Sequence, residues 1–383
     1  MKTFWKQFGS YLLVAVLSTV ATLAMVDAKV GLKPSKLDQL ERLIDERFVE
    51  EADMMAAEDA AAAAMVDSLG DRWSYYLSAK EYETHMEQMN NAYVGVGITI
   101  LGTPDSSGYE ILAVAADGPA QEAGIQVGDV LVAVEGQTVQ EMDTAEVRDL
   151  VKGKEGTFVS LTVKRQEEEL TFSVERRQVQ TPVAEYEMLD GNIGLVTIVN
   201  FDSRCAQETI AAMEALLQQG AEKLIFDVRY NPGGYASELV KVLDYLLPEG
   251  ELFRSVTYDG KESVDYSDAD YLDIPMAVIV NAQSYSAAEF FAAALREYEA
   301  ATVVGQQTVG KGYFQYTYRL NDGSAVGLSV GKYYTPKGIS LAEVGITPDV
   351  VVELDEETAS KLYYGSLDRS EDPQIQAAIE ALQ

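Results

Sequence analysis

The spacing of apolar residues along the chain changes twice. Over residues 34–90 it is helical. LDQLERLIDERF puts Leu37, Leu40, Leu43 and Ile44 on one face, Met54 to Leu69 is alanine-rich and stops at Gly70, and DRWSYYLSAKEYETHMEQM continues as an amphipathic stretch. From Asn91 the period shortens to two. YVGVGITIL and YEILAVA read as strands, Pro119 opens a short helix that Gly124 ends, and Val130 to Val134 is a strand. Thr144 to Val151 is a helix, and FVSLTVKR and LTFSVERR form a hairpin around Glu167-Glu168-Glu169. From residue 180, near-continuous apolar strands alternate with helices: IGLVTIV, AQETIAAMEALLQQ, KLIFDV, ASELVKVLDYLL, MAVIV, SAAEFFAAALREY and ATVVG. That βαβα order predicts an α/β core with parallel pairing. The end of the chain, 356–383, is acidic and partly helical.

One apolar run belongs to none of these patterns. Tyr11 to Val26 is uncharged, with Lys2, Trp5 and Lys6 before it. It predicts an N-terminal transmembrane helix that anchors the chain in the cell membrane as a single-pass protein, its body outside the cytoplasm. A cleaved signal peptide is the alternative and leaves the body on the same side. Composition narrows the chemistry further. A net charge of −33 argues against a partner that follows nucleic-acid phosphates or anionic lipid. The single cysteine, Cys205, permits neither an intrachain disulfide nor a cysteine cage for a metal. The single histidine, His85, reads as a helix-surface residue, so a hydrolase here needs some other base. No metal or organic cofactor is called for.

Three segments at the ends of predicted core strands could carry chemistry. Asn231-Pro232-Gly233-Gly234 can present backbone N–H groups to an open site, or be a plain strand-to-helix turn. Ser286 opens a helix; Ser286-x-x-Glu289 is a capping box, and equally a nucleophile beside the free amide of Ala287. Lys311, between Gly310 and Gly312, is a turn residue or a base whose pKa burial has lowered.

Together, Asn231-Pro232-Gly233-Gly234, Ser284-x-Ser286-Ala287-x-Glu289 and Gly310-Lys311-Gly312-x-x-Gln315 resemble the carboxyl-terminal processing, or tail-specific, proteases. These are Ser-Lys serine peptidases that carry a PDZ domain. The 25-residue interval from Ser286 to Lys311 matches the family and selects Ser286 over Ser284. Tyr93-Val94-Gly95-Val96-Gly97, Gly118-Pro119-Ala120, Ala123-Gly124 and Gly128-Asp129 resemble a PDZ domain. DRWSYY, from Asp71, is similar to the family's entry motif with Arg72 in place of proline, and Gly345-Ile346-x-Pro348-Asp349 is similar to its closing motif. Lys152, before Gly153, stands where relatives often have arginine.

The resemblance implies a mixed α/β chain: a membrane anchor or signal peptide (1–28), a helical N-terminal segment (29–90), a PDZ domain (91–179), a crotonase-like α/β protease core (180–355) and an acidic helical tail (356–383). It implies Ser286 as nucleophile, Lys311 as base, Gln315 to position it, and Ala287 with Gly233 or Gly234 as the oxyanion hole. Tyr93, Gly95, Val96, Gly97, Val147, Leu150 and Lys152 would line a groove for the free C-terminus of a protein substrate. The assembly of relatives suggests a homo-oligomer. Two other readings use the same residues: a PDZ scaffold with an inert protease-like domain, and acyl-thioester chemistry on a crotonase-type fold.

Overall fold

The computed structural model describes residues 34–103, 107–166 and 168–383, so the apolar run Tyr11 to Val26 lies outside it. Among the described residues no helix is long and apolar enough to cross a membrane. The chain divides into two compact units, up to Ser68 and from Leu69. In the first, the helix Lys36–Arg47 opens on a capping box between Ser35 and Asp38, and Asp53 caps the helix Met54–Asp67.

The helical expectation fails at the start of the second unit. Tyr75–Leu77 is a strand, antiparallel to Gly327, Val326 and Ala325. Its tyrosines suit a pleated surface, and the next helix, Ala79–Met89, waits for the capping box of Ser78 and Glu81.

Between Ala92 and Gln180 the predicted elements fall where the alternation placed them. Ile98–Gly102, Tyr109–Val114, Val130–Val134, Phe158–Arg165 and Glu168–Glu175 form an antiparallel sheet in that order. Ile98–Gly102 is an edge strand. The helix Thr144–Val151 turns Val147 into the core with Ile111, Leu131, Leu161 and Val174. Gly124, at φ 96°, closes the helix Pro119–Ala123 in the left-handed conformation that glycine adopts without strain.

Beyond this lies a six-stranded sheet: Ala184–Leu189, Ile193–Ile198, Lys223–Asp227, Met276–Val280, Ala301–Gly305 and Val350–Val351. The first pair is antiparallel and the rest are parallel. The helices Cys205–Gln218, Ala236–Leu246 and Ala287–Glu297 share one core around Phe201, Phe226 and Phe291, each ring worth about 1.5–3 kcal/mol of burial. Pro373–Ala381 packs Ile375 and Ala378 with Leu195, Ile225 and Ile279 of the sheet in a separate core. Four long strands that the sequence reading passed over, Gly250–Thr257, Glu262–Ser267, Tyr313–Arg319 and Ala325–Tyr334, join Tyr75–Leu77 in a further antiparallel sheet. All three chemistry-bearing segments leave the carboxyl ends of adjacent parallel strands, where open α/β sheets bind ligands.

Candidate active site

The segment Arg229–Gly234 is held from both sides. Arg229 is buried against Asp227 (2.6 Å) and Asp372 (2.8 Å), which ties the turn to the C-terminal helix. Asn231 donates to the Ile198 carbonyl (2.8 Å), and its Oδ1 accepts from the Gly233 amide (2.8 Å). Gly233, at φ 90°, runs so close to the serine segment that a Cβ there would lie 2.7 Å from Ser286 Cβ and 2.8 Å from Ala287 N. Only glycine fits.

Ser286 sits at the strand-to-helix turn, 7% exposed, with φ 58° and ψ −124°. For a residue with a side chain that conformation costs about 1–3 kcal/mol, so the surroundings must enforce it. The Glu289 amide bonds the Ser286 carbonyl (2.9 Å), and Ser286 Oγ makes no side-chain cap hydrogen bond. The side chain still faces the Glu289 backbone in a capping-box arrangement, and without a full cap hydrogen bond that arrangement holds the hydroxyl only weakly. Ala287, as the first helical residue, aims its amide out of the helix N-terminus. Ser284 differs. It is fully buried, donates to the Val228 carbonyl (2.7 Å) and accepts from the Asn281 amide (3.0 Å), which is a structural role.

Lys311 lies beside the stacked rings of Trp73 and Tyr285, with Nζ 5.0 and 5.6 Å from their centroids. Burial lowers its pKa to about 8, against the upward pull of Glu289 and Asp71. At pH 7 about a tenth of such a lysine is neutral, against well under a thousandth at the ordinary value. Among the described residues Nζ makes no hydrogen bond to Ser286. The two segments are instead joined by Glu289, which is fully buried. Its Oε2 accepts from the amides of Ser286 (3.0 Å) and Lys311 (2.9 Å), and its Oε1 from Thr308 Oγ1 (2.5 Å) and the Gly310 amide (2.7 Å). Gln315 donates to Ser329 Oγ (3.0 Å) and to the Tyr313 carbonyl (3.3 Å).

His85 is not the bland surface residue expected. It is half-buried beside Tyr75, with ring centroids 5.7 Å apart, and its pKa is lowered by burial and then by the charge of Lys311. It is thus largely neutral at physiological pH.

A second cavity, of about 450 Å³, opens on the edge strand Ile98–Gly102 and is lined by Tyr93, Gly95, Val96, Gly97 and Lys152. Val147 and Leu150 do not line it: Val147 is wholly in the core, and Leu150 packs against that core. The groove face of that helix is Thr144, Arg148 and Val151, an i, i+4, i+7 set. Thr84 and Glu87, from the helix Ala79–Met89, supply an unforeseen wall, and Lys152 Nζ is paired with Glu87 at 2.5 Å.

Known proteins match this chain over both its sheet-rich regions. Residues 192–352 match peptidase family S41, and 110–165 match the PDZ domain. A CtpA-like serine protease of Staphylococcus haemolyticus is 30% identical over 354 residues, 90% of this chain and 71% of that protein. The chain belongs to peptidase family S41, as a CtpA-like serine protease. The Staphylococcus epidermidis counterpart is 29% identical over 355 residues, 90% of this chain and 72% of its own length. In fold this S41 peptidase is similar to an S41 protease of Bacteroides fragilis, with TM-score 0.54 and 17% identity over 83% of this chain and 89% of the other.

Sequence reasoning missed three parts of the site. Glu289 read only as a capping residue, because Thr308 and Gly310 are about twenty positions away. Trp73 and Tyr285 gave no signal as the walls of the lysine pocket. Asp71 was quoted within a motif and given no role.

Proposed function

We propose that this S41 peptidase cleaves unfolded protein chains with a Ser286–Lys311 dyad, after its PDZ groove has taken the free C-terminus of the substrate. The observation that carries this reading is a buried lysine of lowered pKa and a helix-start serine on two loops that share one carboxylate. Neutral Lys311 takes the Ser286 Oγ proton as Oγ attacks the scissile carbonyl, then returns it to the leaving amine, and water resolves the acyl-enzyme. Catalytic hydrogen bonds often tighten only around substrate, so the dyad closes in the complex. The Ala287 and Gly234 amides receive the oxyanion; the Gly233 amide is already bonded to Asn231, and Gly233 contributes room instead. Gln315 orients Lys311. The run Tyr11 to Val26 anchors the enzyme, with its body outside the cytoplasm.

The pH profile tests the base. kcat/KM is expected to rise with pH and level off above a midpoint near 8, as Lys311 loses its proton. His85→Gln should leave turnover within about twofold, since no proton in this scheme passes through His85. A midpoint near 6.5 that vanishes in His85→Gln would transfer the base role to the histidine.

Tail reading has its own test. A tail entering the groove adds a strand to Ile98–Gly102 and sets its carboxylate against the backbone amides around Gly95 to Gly97. Amidating the C-terminus of an unfolded substrate should raise its KM by about tenfold, the loss of one charge-assisted interaction. Identical kinetics for free-acid and amidated chains would remove the PDZ domain as the reader of the tail.

A further inference from the structure

A cavity of about 620 Å³ lies beside the lysine segment, lined by Gly310 and by the rings of Trp73, Tyr313 and Tyr334. Nothing in the cleavage scheme occupies it. Two cations line it as well, and both rest on ring faces: Arg72 Cζ is 4.2 Å from the Trp73 centroid, and Lys332 Nζ is 5.4 Å from the Tyr313 centroid. A ring face attracts a cation without using up its N–H donors. Among the described residues neither head group makes an ion pair or a hydrogen bond to protein, in a chain with 62 acidic and 29 basic residues. The two carboxylates that line the cavity do not answer them. Asp71 accepts from Ser74 Oγ (2.6 Å) and from the Trp73 amide (3.1 Å). Glu343 is exposed, and its amide donates to the Gly310 carbonyl (2.8 Å). Trp73 fixes the distance from the chemistry. The same ring lies 5.0 Å from Lys311 Nζ and stacks on Tyr285, which precedes Ser286 in the chain. Two distances to one ring centre put the Arg72 guanidinium within about 9 Å of Lys311 Nζ, a length that extended chain covers in about three residues.

We propose that this cavity is a substrate subsite for an acidic side chain, an aspartate or glutamate of the unfolded chain within about three residues of the scissile bond, with Arg72 and Lys332 as its cationic contacts. The inference deepens the Ser286–Lys311 reading and rests on it, since the distance runs from that lysine. Arg72 offers a planar fork that meets a carboxylate with two N–H···O bonds, and Lys332 offers a point charge. Trp73 holds the fork in place before the substrate arrives, which lowers the ordering cost of binding. The Tyr313 and Tyr334 rings give apolar contact to the methylenes that carry the carboxylate. Arg72 also stands where the similar family motif has proline, which supplies no donor, so the preference is one that this chain's own sequence adds.

The test is a set of paired unfolded substrates that differ only in glutamate against glutamine, the pair being moved residue by residue across the scissile bond. With the full chain, one position should give the glutamate substrate a kcat/KM about tenfold above its glutamine twin, the effect of one charge-assisted contact. Arg72→Ala should bring that ratio to within about twofold of unity. Lys332→Ala should lower it in part, and Arg72→Glu should invert it in favour of glutamine. The ratio compares two substrates on one enzyme, so a variant that is partly unfolded loses rate on both and keeps its ratio. Should Arg72→Ala not fold, Arg72→Gln takes its place. Glutamate and glutamine cleaved alike at every position overturn the proposal, and so does a glutamate preference that survives in the double variant Arg72→Ala, Lys332→Ala. A preference for an aromatic residue over both would assign the cavity to rings and overturns it too. Ser286→Ala is assayed alongside: cleavage that persists there sinks the dyad reading, while the glutamate-to-glutamine ratio still decides the subsite.

Discussion

Ser286→Ala and Lys311→Ala are each expected to reduce cleavage of an unfolded substrate by at least about 10³-fold, because the members of one catalytic unit lose most of its effect singly. Neither change should unfold the protein. The Ser286 side chain takes part in a capping box with Glu289 but makes no full cap hydrogen bond, so its removal should cost no more than about 1 kcal/mol. Lys311→Ala removes a cation that burial already disfavours. Ser284→Ala is the control two residues away. It breaks two buried hydrogen bonds and should lower stability by about 1–3 kcal/mol while keeping appreciable turnover. Active-site titration with a serine-directed phosphonate, beside steady-state rates and denaturation midpoints, separates the cases. A folded Ser286→Ala with near wild-type activity ends the mechanism, and a dead Ser284→Ala of undiminished stability names the wrong serine.

Glu289→Gln should be the most damaging single-atom change in the molecule. Each carboxylate oxygen takes two donors, and an amide can replace only one of those oxygens. Its NH₂ would meet two N–H or O–H donors in a site with no exposure. Two buried donors left unpaired cost about 2–6 kcal/mol. Because those donors belong to the serine and lysine segments, activity should fall by about 10²-fold or more even where the fold survives, since small displacements of reacting groups are this expensive. Urea titration and kcat measured on the folded fraction test both parts; wild-type stability with wild-type kcat would show that the carboxylate is not what joins the two loops.

The elements that could be read from the sequence are those whose signal is local. The helix Thr144–Val151 and the strands Val130–Val134 and Met276–Val280 are set by period, caps and apolar runs within a few residues, and they lie where they were expected. The strand Tyr75–Leu77 was taken for helix because its partners, Ala325 to Gly327, are about 250 residues away. Tyr313–Arg319 and Ala325–Tyr334 mix tyrosine with polar residues on a partly covered sheet and carry no clean alternation. In the site, Ser286, Lys311 and Gln315 were visible as motif letters. What places them was not: Glu289 reaches Thr308, Gly310 and Lys311 through bonds that span 19 or more positions. The groove misreading was one of helix phase. Val147 is apolar, so it belongs to the core, and the face left over for a ligand is the adjacent one.

The helix Ala79–Met89 limits how far this enzyme can be taken apart. Glu87 and Thr84 wall the groove, while His85, between them, feels the charge of Lys311. A fragment cut at the customary start of the PDZ sheet would keep every ladder hydrogen bond of Ile98–Gly102 and yet present a trough with one bank missing and Lys152 stripped of its counter-ion. Affinities measured on such a fragment would describe a binding surface that does not exist in the intact chain. A graft of this domain onto another peptidase would need to begin near Ser78, with the cap that starts the helix, to carry the whole groove along.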